Sequence, residues 1–335
     1  LTWRAVARNH AGAVIGHIAF YRSTPPNPKL YECGQLMVCH EWRQTSVGFA
    51  LMEYALAEIP RQRGLEQIWG EAVCNHLFTQ MMMTKRGYHE TGLEVALMPG
   101  DAAKGGERTS TVLIFSSPGE SGQTVYVPQV YQEAFALLYG ELAEACNFVE
   151  ATAPLPQAVA TEGSIEMFAG AGVARLSITN IGADFEAKAA LWESQASAAG
   201  TVVLQAFLRL GDETIGAAVE ILRRRGYFLG GVLPGWYGGD GLLMQKVSIA
   251  VDEKAIHAYT KKAKAIKALV LKDWAEVCPQ SWGGVLRLAA AKWPEKTAAV
   301  YPQKNRSYTY AQLDAEAAQV AKGLMALGME RGEHA

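Results

Sequence analysis

Long hydrophobic runs are missing from this chain. Half of its 335 residues are hydrophobic, yet no stretch approaches the ~18 consecutive apolar residues that a membrane-crossing helix needs, so no membrane partner is expected. An excess of charge of one sign is missing too. Lys and Arg number 31 against 33 Asp and Glu, a net charge of -2, and such a chain has no global pull toward nucleic acid or anionic lipid. Cysteine is scarce and unpaired in pattern: Cys33, Cys39, Cys74, Cys146 and Cys278, an odd number with no CxxC spacing. This argues against a disulfide framework or a structural zinc site and makes a reducing, cytoplasmic setting the expectation. The thiols read as small core residues. No metal-ligand cluster and no Ser-His-Asp arrangement stands out. The opening Leu-Thr-Trp-Arg-Ala-Val-Ala-Arg alternates and does not resemble a secretory leader. Lacking an initiator Met, the chain is read as beginning inside a longer protein. What is present is enough apolar surface to build real cores, and a length that favours two or three domains.

Three extended segments open the chain: Thr2–Asn9, Ala13–Arg22 and, after Pro25, Pro26 and Pro28, Leu30–His40. Short connections between them predict an antiparallel meander. In Phe49–Ile59 the residues Phe49, Leu51, Met52, Ala55, Leu56 and Ile59 share one helical face, and Pro60 is expected to end that helix. A strand over Leu65–Val73, a helix over Asn75–Arg86 ending at Gly87, and strands over Leu93–Met98 and Thr111–Phe115 follow. Pro128–Cys146 is predicted as one amphipathic helix and Ala151–Gly163 as loop. A second β/α unit then reads strand (Ala174–Thr179), helix (Asp184–Ala199), strand (Val202–Leu210), helix (Glu213–Arg225), a Gly-rich turn with Pro234, and strand (Leu242–Ser248). The Lys-rich stretch Asp252–Val277 is expected to be helical with a solvated face. A third texture begins after Pro279: a helix over Ser281–Lys292, short strands at Thr297–Tyr301 and Tyr308–Tyr310, and an Ala-rich helix at Ala311–Leu327.

The turn between Leu36–His40 and Phe49–Ile59 carries the most chemistry. A strand runs into a turn that opens a helix, and the first N–H groups of a helix are unpaired at the positive end of its dipole. Small residues at Ser46 and Gly48 allow a phosphate to approach this backbone, and Arg43 and the Thr45 and Ser46 hydroxyls add donors. A plain Ser N-cap is the simpler alternative.

Arg43-Gln44-Thr45-Ser46-Val47-Gly48, followed by Phe49-Ala50-Leu51-Met52, resembles motif A of the GNAT acyltransferase superfamily, with Ser46 where that family prefers Gly. Glu71-Ala72-Val73 with Asn75, and Lys85-Arg86-Gly87-Tyr88, resemble two later landmarks of the same family, so the resemblance covers about residues 1–116. It implies an α/β (α+β) fold with a mixed, splayed β-sheet flanked by helices. It also implies that Leu36, Met37 and Val38 pair with the pantetheine arm of acetyl-CoA or another acyl-CoA, while residues 43–48 hold the pyrophosphate, with Asn75 nearby. The implied chemistry is attack on the thioester by an amine, on a small molecule or on a protein lysine, with Glu71 the leading base ahead of Glu32 and His40. Met83 stands where the family commonly has a proton-donating Tyr, with Tyr54 and Tyr88 the substitutes by type. A non-catalytic acyl-CoA-binding module is therefore the alternative.

Glu220-Ile221-Leu222-Arg223-Arg224-Arg225-Gly226-Tyr227-Phe228, with a closing hairpin through Leu233–Tyr237 and Asp240–Gln245, resembles a worn second copy of the fold in which Asp184–Gly200 offers no phosphate cradle. The tail, through Thr297-Ala298-Ala299-Val300, Ser307-Tyr308-Thr309-Tyr310-Ala311-Gln312-Leu313-Asp314 and Arg331-Gly332-Glu333, resembles the start of the AMP-binding, adenylate-forming acyl-CoA synthetases. That family's ATP loop and catalytic Lys are not in this sequence, so ATP and Mg belong only to the missing ligase part. The expected organisation is a GNAT-like domain at 1–116, a helical connector at 117–171, a degenerate copy at 172–250, a linker at 251–278 and a synthetase start at 279–335. The fused synthetase is the expected partner of the acyltransferase.

Overall fold

A computed structural model describes residues 2–100, 106–277, 285–287, 289–290, 293–304 and 306–329. Cys278, Arg331-Gly332-Glu333 and most of the helix expected at Ser281–Lys292 lie outside the described residues. The chain divides into two units, Leu1–Val270 and Leu271–Ala335.

The first unit is built on one mixed sheet of eleven strands. β1 (Thr2–Arg8), β2 (Val14–Tyr21) and β3 (Leu30–Val38) form the expected meander. α1 (Val47–Arg63) crosses to β4 (Gln67–Val73), which lies parallel to β3. α2 (Phe78–Lys85) leads to the hairpin of β5 (His89–Met98) and β6 (Thr109–Phe115). After a separate parallel pair, β7 (Gln123–Val127) and β8 (Cys146–Glu150), separated by α3 (Gln132–Tyr139), the pattern repeats. β9 (Glu162–Phe168) pairs antiparallel with β10 (Val173–Asn180). α4 (Phe185–Ala198) crosses to β11 (Val203–Arg209), parallel to β10, and α5 (Ile215–Arg224) leads to the hairpin of β12 (Phe228–Tyr237) and β13 (Gly239–Val247). The order is β1-β2-β3-β4-β6-β5-β12-β13-β11-β10-β9. Read outward from the middle, β5-β6-β4-β3-β2 and β12-β13-β11-β10-β9 are the same motif with the same strand directions. The two copies join at a single register pair, Gly92 to Gly231. A Cβ on Gly92 would lie 2.6 Å from Gly230 O, and one on Gly231 would lie 2.4 Å from Gly92 Cα, so this approach admits glycine alone.

The sheet is rolled. β4 and β10 are six places apart in the order, which at roughly 4.8 Å per strand is about 29 Å in a flat sheet. Yet Arg175 Nη2 of β10 lies 3.0 Å from Glu71 Oε1 of β4. Rolling lets both copies bury one core, in which Leu30, Trp69 and Phe115 meet Phe207, Trp236 and Leu243. The Trp236 ring stacks on Phe207 and meets Trp69 edge-on, each at 5.0 Å between centroids.

Several expectations are corrected. Pro60 does not end α1, which runs to Arg63 and stops at Gly64 in a left-handed conformation. Lying in the last turn, Pro60 removes one N–H without stopping the chain from completing that turn. Pro128–Cys146 is not one helix. Gly140, with φ +55, ends α3, a 3₁₀ stretch follows, and Cys146 begins β8. The Gly-rich segment around Pro234 is part of strand β12, with register shifts on either side of it. β7 and β9 fall where no strand was expected.

In the second unit, β14 (Thr297–Tyr301) and β15 (Arg306–Thr309) form an antiparallel pair. α6 (Tyr310–Ala326) starts from a capping box in which the Thr309 side chain accepts from Gln312 N–H and the Gln312 side chain accepts from Thr309 N–H. No residue of α6 is buried, and Val320, Met325 and the following Leu327 are exposed.

Candidate functional site

The site begins with a failure of pairing. β3 and β4 are hydrogen-bonded only through Leu30–Glu32 and Gln67–Trp69, after which they part. β3 bends at Gln35, a non-glycine residue at φ +55, where His17 Nδ1 lies 3.1 Å from Gln35 O. Strain of this kind is retained where surrounding structure fixes it, and here it turns Leu36, Met37 and Val38 away from β4. The gap is a cleft of about 970 Å³.

Leu36, Met37 and Val38 line one wall of the cleft, and Arg43, Thr45 and Gly48 line its entrance. Glu71 and Asn75 lie on the opposite side, together with His76 and Thr79. Of the residues singled out in the sequence, Gln44, Ser46 and Val47 belong to the same turn but do not line the cleft, and neither does His40.

The start of α1 is not an ordinary Ser cap. Ser46 makes no side-chain cap bond. The first helical bond runs from Ala50 N–H to Ser46 O. The N–H groups of Gly48 and Phe49 therefore precede the helical ladder, at the positive end of a 17-residue helix. A Cβ on Gly48 would sit 3.7 Å from Val38 and 3.8 Å from Phe78, so a larger side chain would fill the space before these donors. Two expected donors are partly engaged. Arg43 Nε donates to Val38 O at 3.2 Å, and the Thr45 hydroxyl donates to Trp42 O at 2.7 Å.

At the far end stand carboxylates. Glu71 is nearly enclosed and receives a 3.0 Å bond from Arg175 Nη2. Burial first, and then the neighbouring Glu94, push Glu71 well above the ordinary carboxylate range, while Arg175 opposes the rise. Glu94 is fully buried and accepts from Thr111 Oγ1 at 2.7 Å and from Gln205 Nε2 at 2.6 Å. Burial costs Arg175 some of its affinity for a proton, but Glu71, Glu94 and Glu32 outweigh this and hold it charged.

Tyr21 is the lining residue that sequence reasoning missed. It is the register partner of Glu32 across β2 and β3, and its hydroxyl donates to Glu32 Oε1 at 2.5 Å. Burial, and then the charge of Glu32, push its phenol far up, so Tyr21 keeps its proton. A signal existed in the apolar β-run of Ala13–Arg22, but the pairing register that sets Tyr21 against Glu32 is not written in β2 alone. Of the other phenols, Tyr54 is exposed on α1 and Tyr88 lies outside the lining. Met83 is buried, its Cε against Gly70, and lies outside the lining as well. Burial pushes the Cys33 thiol, which lines the cleft, up to about 12, and Glu32 adds to the rise.

Among the described residues, no group of three His, Cys, Asp or Glu could hold a metal ion, and no helix is long and apolar enough to cross a membrane.

Solved structures similar to this chain include the ribosomal-protein-S18-alanine N-acetyltransferase from Escherichia coli, at 12% identity over 34% of this chain and 67% of that one, with a TM-score of 0.28. The IAA acetyltransferase from Bacillus cereus ATCC 14579 is similar at 15% identity over 34% and 76%, TM-score 0.29. A GNAT superfamily phosphinothricin acetyltransferase from Sinorhizobium meliloti, solved in complex with AcCoA, is similar at 20% identity over 33% and 58%, TM-score 0.29. At the other end, the chain is 43% identical over 60 residues to the "Putative acyl-CoA synthetase YngI" of Bacillus subtilis (strain 168). That match covers 18% of this chain and spans only 11% of the length of that relative. Residues 286–335 match the family described as AMP-binding enzyme, so it is the C-terminal segment that carries the acyl-CoA synthetase similarity.

Proposed function

We propose that the first copy binds an acyl-CoA across β3 and the start of α1 and transfers its acyl group to a small amine. The observation that carries this reading is the continuity of one cleft from the uncapped start of α1, past the edge of Leu36–Val38 that β4 leaves unpaired, to Glu71. An anionic pyrophosphate suits the Gly48 and Phe49 N–H groups and Arg43. The edge of Leu36–Val38 that faces away from β2 suits the amide-bearing pantetheine arm, as an unpaired strand edge accepts a further strand. When bound, the thioester supplies an activated carbonyl. Glu71 would take a proton from the amine, and its rise above the usual carboxylate range makes it the stronger base when ionised. Tyr21 serves as a fixed donor to Glu32 rather than as a proton source, because its pKa is pushed so far up. The carboxylates at this end favour an acceptor that arrives as a cation.

Saturable binding of CoA, followed by calorimetry, tests the reading. Gly48→Glu should weaken it by more than ~10-fold, since like charges brought together oppose association by several kcal/mol. Equal affinity in the parent and the variant removes the site.

A second reading has its own support. Met83, at the place where a proton donor was expected, is buried, and Glu71 is already paired with Arg175. Both fit an acyl-CoA-binding module that regulates an attached ligase. Such a module binds CoA and releases no thiol from acetyl-CoA with any amine. For the C-terminal segment, adenylate formation using ATP and Mg is assigned to a larger synthetase of which these residues resemble only the start. This chain is therefore expected to show no pyrophosphate exchange above background.

A further inference from the structure

The second copy contributes a side chain to the cleft end of the first. Arg175 reaches out of β10 with its donors divided among three parts of the molecule. Nε bonds Gln205 Oε1 at 2.9 Å, Nη1 bonds the Thr24 hydroxyl in the β2–β3 connection, and Nη2 bonds Glu71 at 3.0 Å. Its guanidinium lies 5.4 Å from the centre of the Phe168 ring. Gln205 is the register partner of Arg175 on β11, and its amide is fixed in turn by Glu94, which Thr111 holds. A continuous chain Thr111–Glu94–Gln205–Arg175–Glu71 thus crosses from the first copy into the second and back. An arginine with only structural work to do could bond Gln205 and Thr24 alone. Here the planar fork is fixed by those two contacts, and its remaining arm meets a carboxylate that faces both the cleft and the polar cluster.

We infer that Arg175 is the positioning residue for the Glu71 carboxylate, so that the copy without a cradle completes the acceptor end of the copy that has one. The inference rests on the acyl-transfer reading only for the word acceptor. The contact itself is independent of that reading. The charged and titratable groups around Glu71 are Arg175 from β10, Glu94 from β5, Glu32 from β3 and Tyr21 from β2. Arg175 is the cation of this set, and it alone favours the ionised form of Glu71. Without it, Glu71 would face two carboxylates in an enclosed site with its orientation unfixed.

The test follows Glu71 directly, by carboxyl carbon NMR on glutamate-labelled full chain, with Glu71→Gln giving the assignment. Arg175→Gln should raise the Glu71 midpoint by roughly 1–3 pH units, the range expected when an opposite charge at contact distance is removed. Arg175→Lys keeps the charge and should recover part of that shift. The unmodified chain supplies a reading that needs no variant at Arg175. Its guanidinium nitrogen resonances should step at the Glu71 midpoint, and the step should vanish in Glu71→Gln. A Glu71 midpoint unmoved by Arg175→Gln, or Arg175 resonances that ignore the Glu71 titration, overturns the inference, and the second readout decides if Arg175→Gln does not fold. Neither readout needs turnover. A parent that binds CoA but never reacts would sink the transferase reading and leave this one standing. If the parent does react, the acidic limb of kcat/KM should move up in Arg175→Lys with the Glu71 midpoint.

Discussion

The two copies share one topology and differ at the place where a ligand would bind. In the first, β3 and β4 pair at three positions and then splay, whereas in the second, β10 and β11 pair at five, from Val173 to Ser177. The helix entries differ in the same sense. Before α1, the Gly48 and Phe49 N–H groups lie open at the cleft. Before α4, the equivalent turn is filled by the chain itself. Gly182 N–H donates to Thr161 Oγ1 at 3.0 Å, Ala183 N–H to Val159 O at 2.8 Å, and Asp184 accepts from Thr161 N–H at 2.7 Å. A Cβ on Gly182 would fall 2.3 Å from Thr161 N, so the plug leaves no room even for a methyl group. Counting two places from the first pair of each parallel ladder, Glu32 in the first copy corresponds to Arg175 in the second. The comparison teaches that one strand order is held by apolar packing whether the turn before the crossing helix is open or filled.

The largest expected effect lies in turnover. If the first copy is a catalyst, Glu71→Gln lowers thiol release from acetyl-CoA by ~10²–10⁴, as loss of a general base does, and leaves CoA affinity nearly unchanged. A brisk parent with an equally brisk variant would remove Glu71 from the chemistry. Next comes the shared core. Trp236→Ala should destabilise the first unit by about 3–5 kcal/mol in urea unfolding, and probes in both copies should shift together. Separate transitions would show that the copies are independent folds that merely touch. At the joint, Gly92→Val forces a side chain into backbone 2.6 Å away and should cost about 1–3 kcal/mol, or more if the strands part.

Smaller still is a pH effect. Because Glu71 is raised in the folded state, it binds its proton more tightly there than in the unfolded chain, whose ordinary value is 4.5. Its contribution to stability is thus complete below pH 4.5 and is lost as pH rises toward the folded value. Relative to Glu71→Gln, the parent should lose up to about 1.4 kcal/mol per pH unit within that window. A difference that grows more favourable with rising pH would reverse the assignment. The smallest effect concerns the plugged copy: Asp184→Ala should leave CoA affinity within about twofold of the parent, since that turn faces its own chain. A substantial loss would mean that the second copy binds CoA.

The α1 stripe was legible in the sequence because one element sufficed. Leu51, Met52, Ala55, Leu56 and Ile59 are spaced to share a face, and all five are buried, whereas Phe49, expected on the same face, is exposed. The turn from Arg43 to Gly48 was equally visible, since a strand, small residues and a helix start follow one another locally. Glu71 is found as a carboxylate paired to a cation. The identity of that cation could not be read, because Arg175 lies 104 positions away and reaches Glu71 only after the sheet has rolled. Tyr21 against Glu32 depends on register, the break at Gly140 on a local backbone reversal, and the closing of the second cradle on Val159–Thr161 folding back onto Gly182. The sequence by itself determined most of the elements, their repetition and the phosphate-compatible turn, for periodicity and turn chemistry act over a few residues. Only the tertiary structure decided that the two copies share one core and one polar cluster, because contacts between distant strands are set by sheet order, twist and the glycine joint, none of which is local.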